Sequence, residues 1–235
     1  MATISIIVPA AGCGARAGFS SNKILEPLLG RPLLTWTLGA LVNLPWENWG
    51  LRLRELILVA RPDEFALVEG AGLGVAREVP LVMIEGGATR QHSVWNGVQS
   101  AGGDFVLVHD AARPCVTEDI VRRTVQAAQV HGAALAALQP SDTVKRSRLY
   151  EGALVGETLP RQEIWLAQTP QVFKRRILAD AMAAAMRDEW EGTDCASVVE
   201  RAGGDVALVE GSHDNLKVTF ARDLDRAAEI LKKRG

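Results

Sequence analysis

Small residues and positive charges are combined in the stretch ISIIVPAAGCGARAGFSSNK, residues 4–23. Its β-branched apolar start, residues 4–8, predicts a short buried strand of a parallel sheet. The loop that follows, residues 9–23 (the first loop), contains Ala10, Ala11, Gly12, Gly14 and Gly18. Small residues let the backbone approach an anion with its N–H groups turned outward, and Arg16 and Lys23 add positive charge. This combination predicts a binding loop for a nucleotide triphosphate.

Three other interpretations of the first loop compete with this one. A P-loop requires Lys and then Ser or Thr directly after a glycine, whereas Phe19 follows Gly18 here. The relaxed dinucleotide fingerprint G-x-G-x-x-A does fit residues 12–17. That fingerprint calls for an acidic residue about 20 positions later, and residues 27–46 contain none. A plain glycine-rich turn between a strand and a helix is the third alternative.

A second glycine-containing cluster, GGATR at residues 86–90, follows the third predicted strand, with Ser93 just beyond it. Open α/β sheets bind ligands at such strand ends. Two glycines permit a flat base to approach the backbone, and Ser93 could hydrogen-bond the edge of that base. An ordinary turn before a helix is the alternative.

The sequence HDAARP, residues 109–114, follows the most apolar predicted strand. A carboxylate at the tip of a buried strand is costly unless a cation binds it, so Asp110 is the candidate metal ligand. The alternative is an ion pair between Asp110 and Arg113. Residues 169–171 and 213–219 form two further clusters, and Lys217 in the latter could point into the same site.

The assembled inventory predicts a reaction that depends on charge. A phosphate monoester has a second pKa of about 6, so it is ionised near neutral pH and can attack a phosphorus atom without a general base. No Ser or Cys lies in a nucleophile elbow, and the four histidines form no evident dyad. Cations that neutralise and align phosphates therefore fit phosphoryl-type transfer between two phosphorylated molecules. The converging cations are Arg16, Lys23, Arg113 and Lys217.

The elements that must position these residues alternate between strand and helix. Such alternation predicts one α/β domain, residues 1–235, with a Rossmann-like, mostly parallel sheet and helices on both faces. The predicted strands are 4–8, 56–60, 81–84, 105–109, 133–138 and 206–209. The predicted helices are 33–44, 63–69 with Asp63 as its cap, 91–100, 117–131 with Thr117 as its cap, 175–189, 194–201 and 224–233.

The alternation is interrupted at residues 139–168, which we call the arm. Residues 143–150 and 153–159 alternate in polarity around Glu151 and Gly152, a pattern that predicts a protruding β-hairpin. A solvated hairpin carrying Lys and Arg is one interpretation. A long hairpin with exposed edges is a liability unless something covers it, and a partner subunit is the simplest cover.

Composition limits the class of protein. With 48% hydrophobic residues and a net charge of −2, the chain has neither the signature of disorder nor the basic footprint of a nucleic-acid partner. Three well-separated cysteines suggest neither a disulfide framework nor a zinc site. No apolar run approaches the ~20 residues of a membrane span and no signal-type region follows the first strand, so we expect a cytoplasmic protein with no membrane partner. We also expect no second enzyme fused after Gly235.

These motifs together resemble the 2-C-methyl-D-erythritol 4-phosphate cytidylyltransferases of the non-mevalonate isoprenoid route. The matching segments occur in order over nearly the whole chain: PAAGCGARAG with Lys23, GGATRQHSV, VLVHDAARP, SDTVK, TPQVF, EGTDCAS and DNLKVT. The resemblance implies that CTP and methylerythritol phosphate give the CDP-linked alcohol and pyrophosphate, with Mg²⁺. It also implies a homodimer.

The resemblance further implies roles for individual residues. Arg16 and Lys23 match the catalytic pair that stabilises the transition state. The nucleotide-binding positions are Ala10, Ala11, Gly12, Gly14, Gly87, Arg90 and Ser93. The positions expected to bind the sugar phosphate are Asp110, Arg113, Thr143, Arg161, Thr169, Thr193 and Lys217. Asp110 is the expected metal position, and Thr143 and Arg161 of the arm are expected to reach the neighbouring subunit's substrate.

Four positions depart from the family pattern. Asn22 and Ile24 stand where proline and glutamine are common, and the loss of proline is expected to loosen the first loop. His92 and Cys195 stand where acidic residues are common. Rival functions are ribitol 5-phosphate cytidylyltransferase, an NAD(P)-dependent oxidoreductase and a non-catalytic nucleotide sensor.

Overall fold

The computed structural model describes residues 1–12, 22–76, 78–149 and 153–234. Its longer strands are β1 Ala2–Pro9, β2 Leu51–Ala60, β3 Leu81–Glu85, β4 Phe105–Val108, β5 Ala133–Leu138, β6 Val144–Leu149, β7 Ala153–Leu159, β8 Leu166–Lys174 and β9 Ala207–Glu210. Its helices are α1 Leu33–Val42, α2 Phe65–Leu73, α3 Arg90–Ser100, α4 Glu118–His131, α5 Arg175–Arg187, α6 Cys195–Arg201 and α7 Arg222–Lys232.

The central sheet orders seven of the described strands as β9-β5-β8-β4-β1-β2-β3. Strand β1 runs parallel to β2 and β4, β2 runs parallel to β3, and β5 runs parallel to β9. Only β8, among the described strands of this sheet, runs antiparallel to its neighbours β4 and β5. The predicted α/β, mostly parallel architecture is confirmed.

Strand β8 is the one element of this sheet that was not predicted from the sequence. It contains Pro170, and proline cannot donate to a β-ladder, which argues against a central strand. The structure accommodates it at a register shift between Ala167 and Gln171. Residues 166–168 of the predicted arm therefore belong to the central sheet.

Helices cover both faces of the sheet, as predicted. Successive side chains of β1 point to opposite faces, so each face presents apolar side chains for helices to cover. Ile6 and Val8 pack in a core cluster with residues of α1, α2, α4 and α7. Ile7 packs in a second cluster with residues of α3, α5 and α6. Buried strands with apolar side chains on both faces are typical of parallel sheets.

The two predicted helix caps have different outcomes. Thr117 does cap α4, where its hydroxyl accepts from the backbone N–H of Ile120 at 3.4 Å. Asp63 does not cap α2. It lies inside a 3₁₀ turn, Pro62–Glu64, and pairs instead with Arg61, so α2 begins two residues later, at Phe65.

The arm contains the predicted hairpin, β6 paired with β7 in an antiparallel two-stranded sheet separate from the central one. Its predicted turn at Glu151 and Gly152 lies outside the described residues. Leu154 and Val155 of β7 are 61% and 58% exposed. Among the described helices, none has the length and apolarity needed to cross a membrane.

Candidate active site

A cavity of about 340 Å³ opens where β1, β3 and β4 end. Nine predicted site residues line it: Ala10, Ala11, Gly12, Lys23, Gly87, Arg90, Ser93, Asp110 and Lys217. Pro9, Ile24, Ala88, Thr89, Ala111 and Ala112 complete the described lining. Parallel strands bring their carboxyl ends to one edge, which is why residues so distant in sequence meet here.

Backbone forms much of the wall on the β1 and β3 sides of the cavity. The N–H of Ala10 donates to the carbonyl of Val59 at 2.7 Å, which continues the β1–β2 ladder to the rim. A side chain at Gly86 would clash with Ala11, because its Cβ would lie 2.5 Å from the Ala11 Cβ. These small residues leave room for a ligand to contact the main chain.

Ser93 and Thr89 organise the turn between β3 and α3. The hydroxyl of Ser93 accepts from the N–H of Gly87 at 3.1 Å and donates to the carbonyl of Thr89 at 2.9 Å. Thr89 caps α3, since its hydroxyl accepts from the N–H of His92 at 3.3 Å. Thr89 was not among the predicted site residues, although a threonine directly before a helix is the usual signal of an N-cap.

Asp110 lies at the centre of a charge cluster. Its carboxylate oxygens are 3.0 Å from the Lys217 ammonium, 3.1 Å from the Arg90 guanidinium and 3.4 Å from that of Arg113. Burial alone would raise the pKa of Asp110, but the charges of these three cations outweigh it and hold the pKa well below its ordinary value. Asp110 is therefore ionised at neutral pH.

Lys23 belongs to the same electrostatic environment. Partial burial lowers its pKa from the ordinary value, and the charge of Lys217 lowers it further, against the opposing effect of Asp110. Lys217, Arg90 and Arg113 pair directly with the carboxylate of Asp110, and Lys23 lies close enough for the charge of that carboxylate to affect its pKa. The site carries excess positive charge, which suits a polyphosphate.

Two predicted residues support this cluster from behind the cavity. Arg113 donates to the carbonyl of Asn215 at 2.7 Å. The hydroxyl of Thr169 accepts from the N–H of Asp110 at 3.0 Å. The side chain of Asn215 donates to the carbonyl of Thr169 at 2.8 Å, which ties the segment before Lys217 to β8. Asn215 was not among the predicted site residues. The one indication in the sequence was its position two residues before Lys217, which was predicted.

His109, directly before Asp110, is fully buried. Its Nε2 lies 3.2 Å from the carbonyl of Arg113, and its Nδ1 has no partner among the described residues. Burial lowers its pKa to about 4. A neutral ring that donates from Nε2 to this carbonyl leaves Nδ1 as an unprotonated acceptor.

The family model described as 2-C-methyl-D-erythritol 4-phosphate cytidylyltransferase matches residues 4–233. The chain belongs to this family. A relative of that name from Thermosynechococcus vestitus is 38% identical over 231 residues, 97% of this chain and 95% of that protein. Another, from Syntrophus aciditrophicus, is 39% identical over 233 residues, with the alignment covering 97% of this chain and 95% of the relative.

Solved structures agree with this assignment. The 2-C-methyl-D-erythritol 4-phosphate cytidylyltransferase of Thermus thermophilus has a TM-score of 0.75 at 36% identity, covering 97% of this chain and 98% of that one. The 4-diphosphocytidyl-2C-methyl-D-erythritol synthase of Anaerococcus prevotii has a TM-score of 0.83 at 26% identity, covering 98% and 96%. The family resemblance drawn from the motifs is confirmed.

Of the residues expected from the family pattern, Thr143, Arg161 and Thr193 are not part of the described lining of this cavity. Arg16 and Gly14 lie outside the described residues. Thr193 is exposed ahead of α6, and Thr143 is exposed on the arm. Arg161, also exposed, donates to the carbonyl of Ser141 at 2.6 Å within the arm. That Thr143 and Arg161 serve a neighbouring subunit stays a prediction.

The departures from the family pattern are accommodated locally. Cys195 is buried, and its Sγ lies 3.9 Å from the Arg90 guanidinium. Asn22 is also buried, and its side-chain amide donates to the carbonyl of Ala10 and to Glu64. That the loss of proline loosens the first loop stays a prediction, since residues 13–21 lie outside the described part of the chain.

Proposed function

We propose that this chain joins CTP to 2-C-methyl-D-erythritol 4-phosphate, forming 4-diphosphocytidyl-2-C-methyl-D-erythritol and pyrophosphate. Family membership supports the substrates. The single observation that carries the proposal is the pairing of Lys217 and Arg90 with Asp110, at 3.0 and 3.1 Å, in the cavity that Lys23 also lines. This excess of positive charge is what a triphosphate and a second phosphate require.

The reaction needs no general base from the chain. An ionised oxygen of the acceptor phosphate forms a bond to the α-phosphorus of CTP, and the bond from that phosphorus to the bridging oxygen breaks. Pyrophosphate leaves with the electron pair, so no proton must be removed to start the reaction. Stabilising the charge that accumulates is the chain's main contribution, and we assign that role to Lys23 together with Arg16.

Lys217 and Arg90 are placed to bind phosphate. Their side chains are 43% and 33% exposed, while Asp110 behind them is 11% exposed. An incoming phosphate can therefore replace part of their pairing with Asp110 without entering the core. The turn that Thr89 and Ser93 organise, together with the backbone of residues 10–12, forms the proposed cytidine pocket.

We propose that Mg²⁺ accompanies the nucleotide. The described residues contain no group of three or more His, Cys, Asp or Glu side chains that could hold a metal, and the oxygens of Asp110 already contact cations. Mg²⁺ commonly takes one or two carboxylates and completes its coordination with phosphates and water. The site fits an ion held mostly by triphosphate oxygens, with Asp110 as the carboxylate available to it. When bound, the ion would neutralise phosphate charge.

We propose a homodimer formed through the arm, in the cytoplasm. The hairpin β6–β7 exposes Leu154 and Val155 and pairs with no described strand of the central sheet, as expected for a surface that a second copy covers. Both described cysteines, Cys115 and Cys195, are free thiols, which suits a reducing compartment.

Pyrophosphate release tests this function. The purified chain with Mg²⁺ is supplied in turn with CTP, UTP and ATP, each with methylerythritol phosphate or ribitol 5-phosphate. We expect rapid release only with CTP and methylerythritol phosphate. A strong preference for ribitol 5-phosphate would overturn the acceptor assignment, and tight NAD(P) binding without any release would overturn the reaction class.

A further inference from the structure

A buried asparagine directly precedes Lys23. Asn22 is 4% exposed, and both of its polar side-chain atoms have partners. Its Nδ2 donates to the carbonyl of Ala10 at 3.1 Å and to Oε2 of Glu64 at 2.8 Å. Its Oδ1 accepts from the N–H of Ile24 at 3.4 Å. One amide thus joins Ala10 and Ile24 of the cavity lining to Glu64, which lies outside that lining.

These bonds fix the backbone that carries Lys23. Asn22 is the N-cap of a 3₁₀ turn, Lys23–Leu25, and its own carbonyl accepts from the N–H of Leu25 at 2.9 Å. Ala10 lines the cavity and continues the ladder from β1. The distance from the cavity wall to the base of the lysine side chain is therefore set by the Asn22 amide.

Glu64 supplies the charged partner from a different element. It ends the 3₁₀ turn that follows β2, 42 residues from Asn22 in sequence. A hydrogen bond to an ionised acceptor is about twice as strong as a neutral one. The pairing links the end of the first loop, at Asn22, to the turn that follows β2.

The backbone at Asn22 has the geometry of a proline. Its φ of −64° is the value that a pyrrolidine ring imposes. Proline would preset this angle covalently, whereas asparagine holds it with hydrogen bonds that depend on Glu64.

We propose that Asn22 and Glu64 form a positioning pair that holds the Lys23 ammonium at the reacting phosphate. The proposal deepens the proposed function and rests on it for the catalytic part. Neither residue is a catalytic residue, because both act through the lysine backbone.

Two measurements on Asn22→Ala, Glu64→Ala, the double variant and Asn22→Pro test the pair. The first is steady-state kinetics. We expect Asn22→Ala to lower kcat about 10- to 100-fold, since small misplacements of a reacting group have effects of this size, with little change in KM for CTP. Glu64→Ala should have a smaller effect that is not additive with it. Asn22→Pro should recover most of the lost kcat. Asn43→Ala, which removes a side-chain bond to the carbonyl of Gly39, is the matched control, since neither residue belongs to the described cavity lining.

The second measurement does not depend on turnover. The reactivity of Lys23 toward acetic anhydride is followed across pH by mass spectrometry, with Lys233 as the internal reference. We expect the Lys23 titration in Asn22→Ala to move up toward the ordinary lysine pKa, because the side chain leaves its partly buried position. If the wild-type chain releases no pyrophosphate while this shift occurs, the proposed function fails and the positioning pair stands.

Two outcomes would overturn the pair. One is an unchanged Lys23 titration in Asn22→Ala, whatever the kinetics show. The other is a loss of kcat that follows the loss of Tm across the variants, with additive effects of Asn22→Ala and Glu64→Ala, since that describes general destabilisation.

Discussion

The cavity rim, by which we mean Asp110 and the cations that pair with it, differs from the arm in what holds its polar side chains. At the rim, the side chains of Arg90, Arg113 and Lys217 pair with the buried Asp110 of the same chain. On the arm, Arg161 and Thr143 are exposed and the hairpin pairs with no described strand of the central sheet. One chain therefore assembles the nucleotide half of the proposed site by itself, whereas the acceptor half, in our proposal, requires a second copy.

Removing the positive charge of Lys23 is expected to have the largest effect. Lys23→Ala should lower kcat about 100- to 1,000-fold, because its charge is needed where negative charge accumulates. Circular dichroism and Tm should be unchanged, since Lys23 is only partly buried. Pyrophosphate release is the measurement and Lys233→Ala is the control. A near-normal rate would remove Lys23 from its assigned role.

Removing the rim's carboxylate should destabilise the fold. Asp110→Asn leaves three neighbouring cations without their shared counter-charge, and breaking a buried pair typically costs about 3–5 kcal/mol. Urea unfolding would measure the loss. Asp119→Asn is the matched control, because Asp119 pairs with Arg122 and Arg123 on an exposed helix surface, where such pairs contribute about 0–1 kcal/mol. Equal losses in the two variants would contradict the central place of Asp110.

His109, buried beside the rim, should make the stability of the folded chain depend on pH. The pKa of His109 is about 4 in the folded chain against an ordinary 6.5, so the unfolded chain takes up a proton first as pH falls. Stability present above pH 6.5 is lost between 6.5 and 4, by about 3 kcal/mol at about 1.36 kcal/mol per pKa unit. Urea unfolding without added metal, compared between the wild type and His109→Gln, measures this contribution. A difference between the two that does not vary with pH would refute it.

The smallest effect, and the sharpest test of the arm, comes from Arg161→Ala. Loss of one charged contact to the acceptor should raise its KM about tenfold, with KM for CTP little changed. When this variant is mixed with Lys23→Ala, subunit exchange should create dimers with one intact site, restoring up to about a quarter of wild-type activity. Activity of the mixture no greater than the sum of its components would show that sites are not shared across the dimer.

The rim could be predicted from the sequence better than the connections that support it. The polar clusters at residues 86–90, 109–114 and 213–219 were found because each follows an apolar strand, and the ends of parallel strands share one edge. Strand β8 was missed because Pro170 contradicts local strand preference, and only pairing with β4 and β5 overrides it. The predicted helix cap at Asp63 was wrong because its carboxylate accepts from Arg61, two residues away, instead of capping the helix.

Local patterns in this sequence determined the alternation of strand and helix, the small-residue loop after β1, the family and the residue types of the site. The ion pair between Asp110 and Arg113, three residues apart, was an alternative already offered by the sequence. Tertiary structure decided the contacts between distant segments: Arg90 and Lys217 reach Asp110 from two other segments, and Glu64 reaches Asn22 across 42 residues. Periodicity and motifs report the preferences of neighbouring residues, whereas pairing of charges depends on distances that exist only once the sheet has brought its strands together.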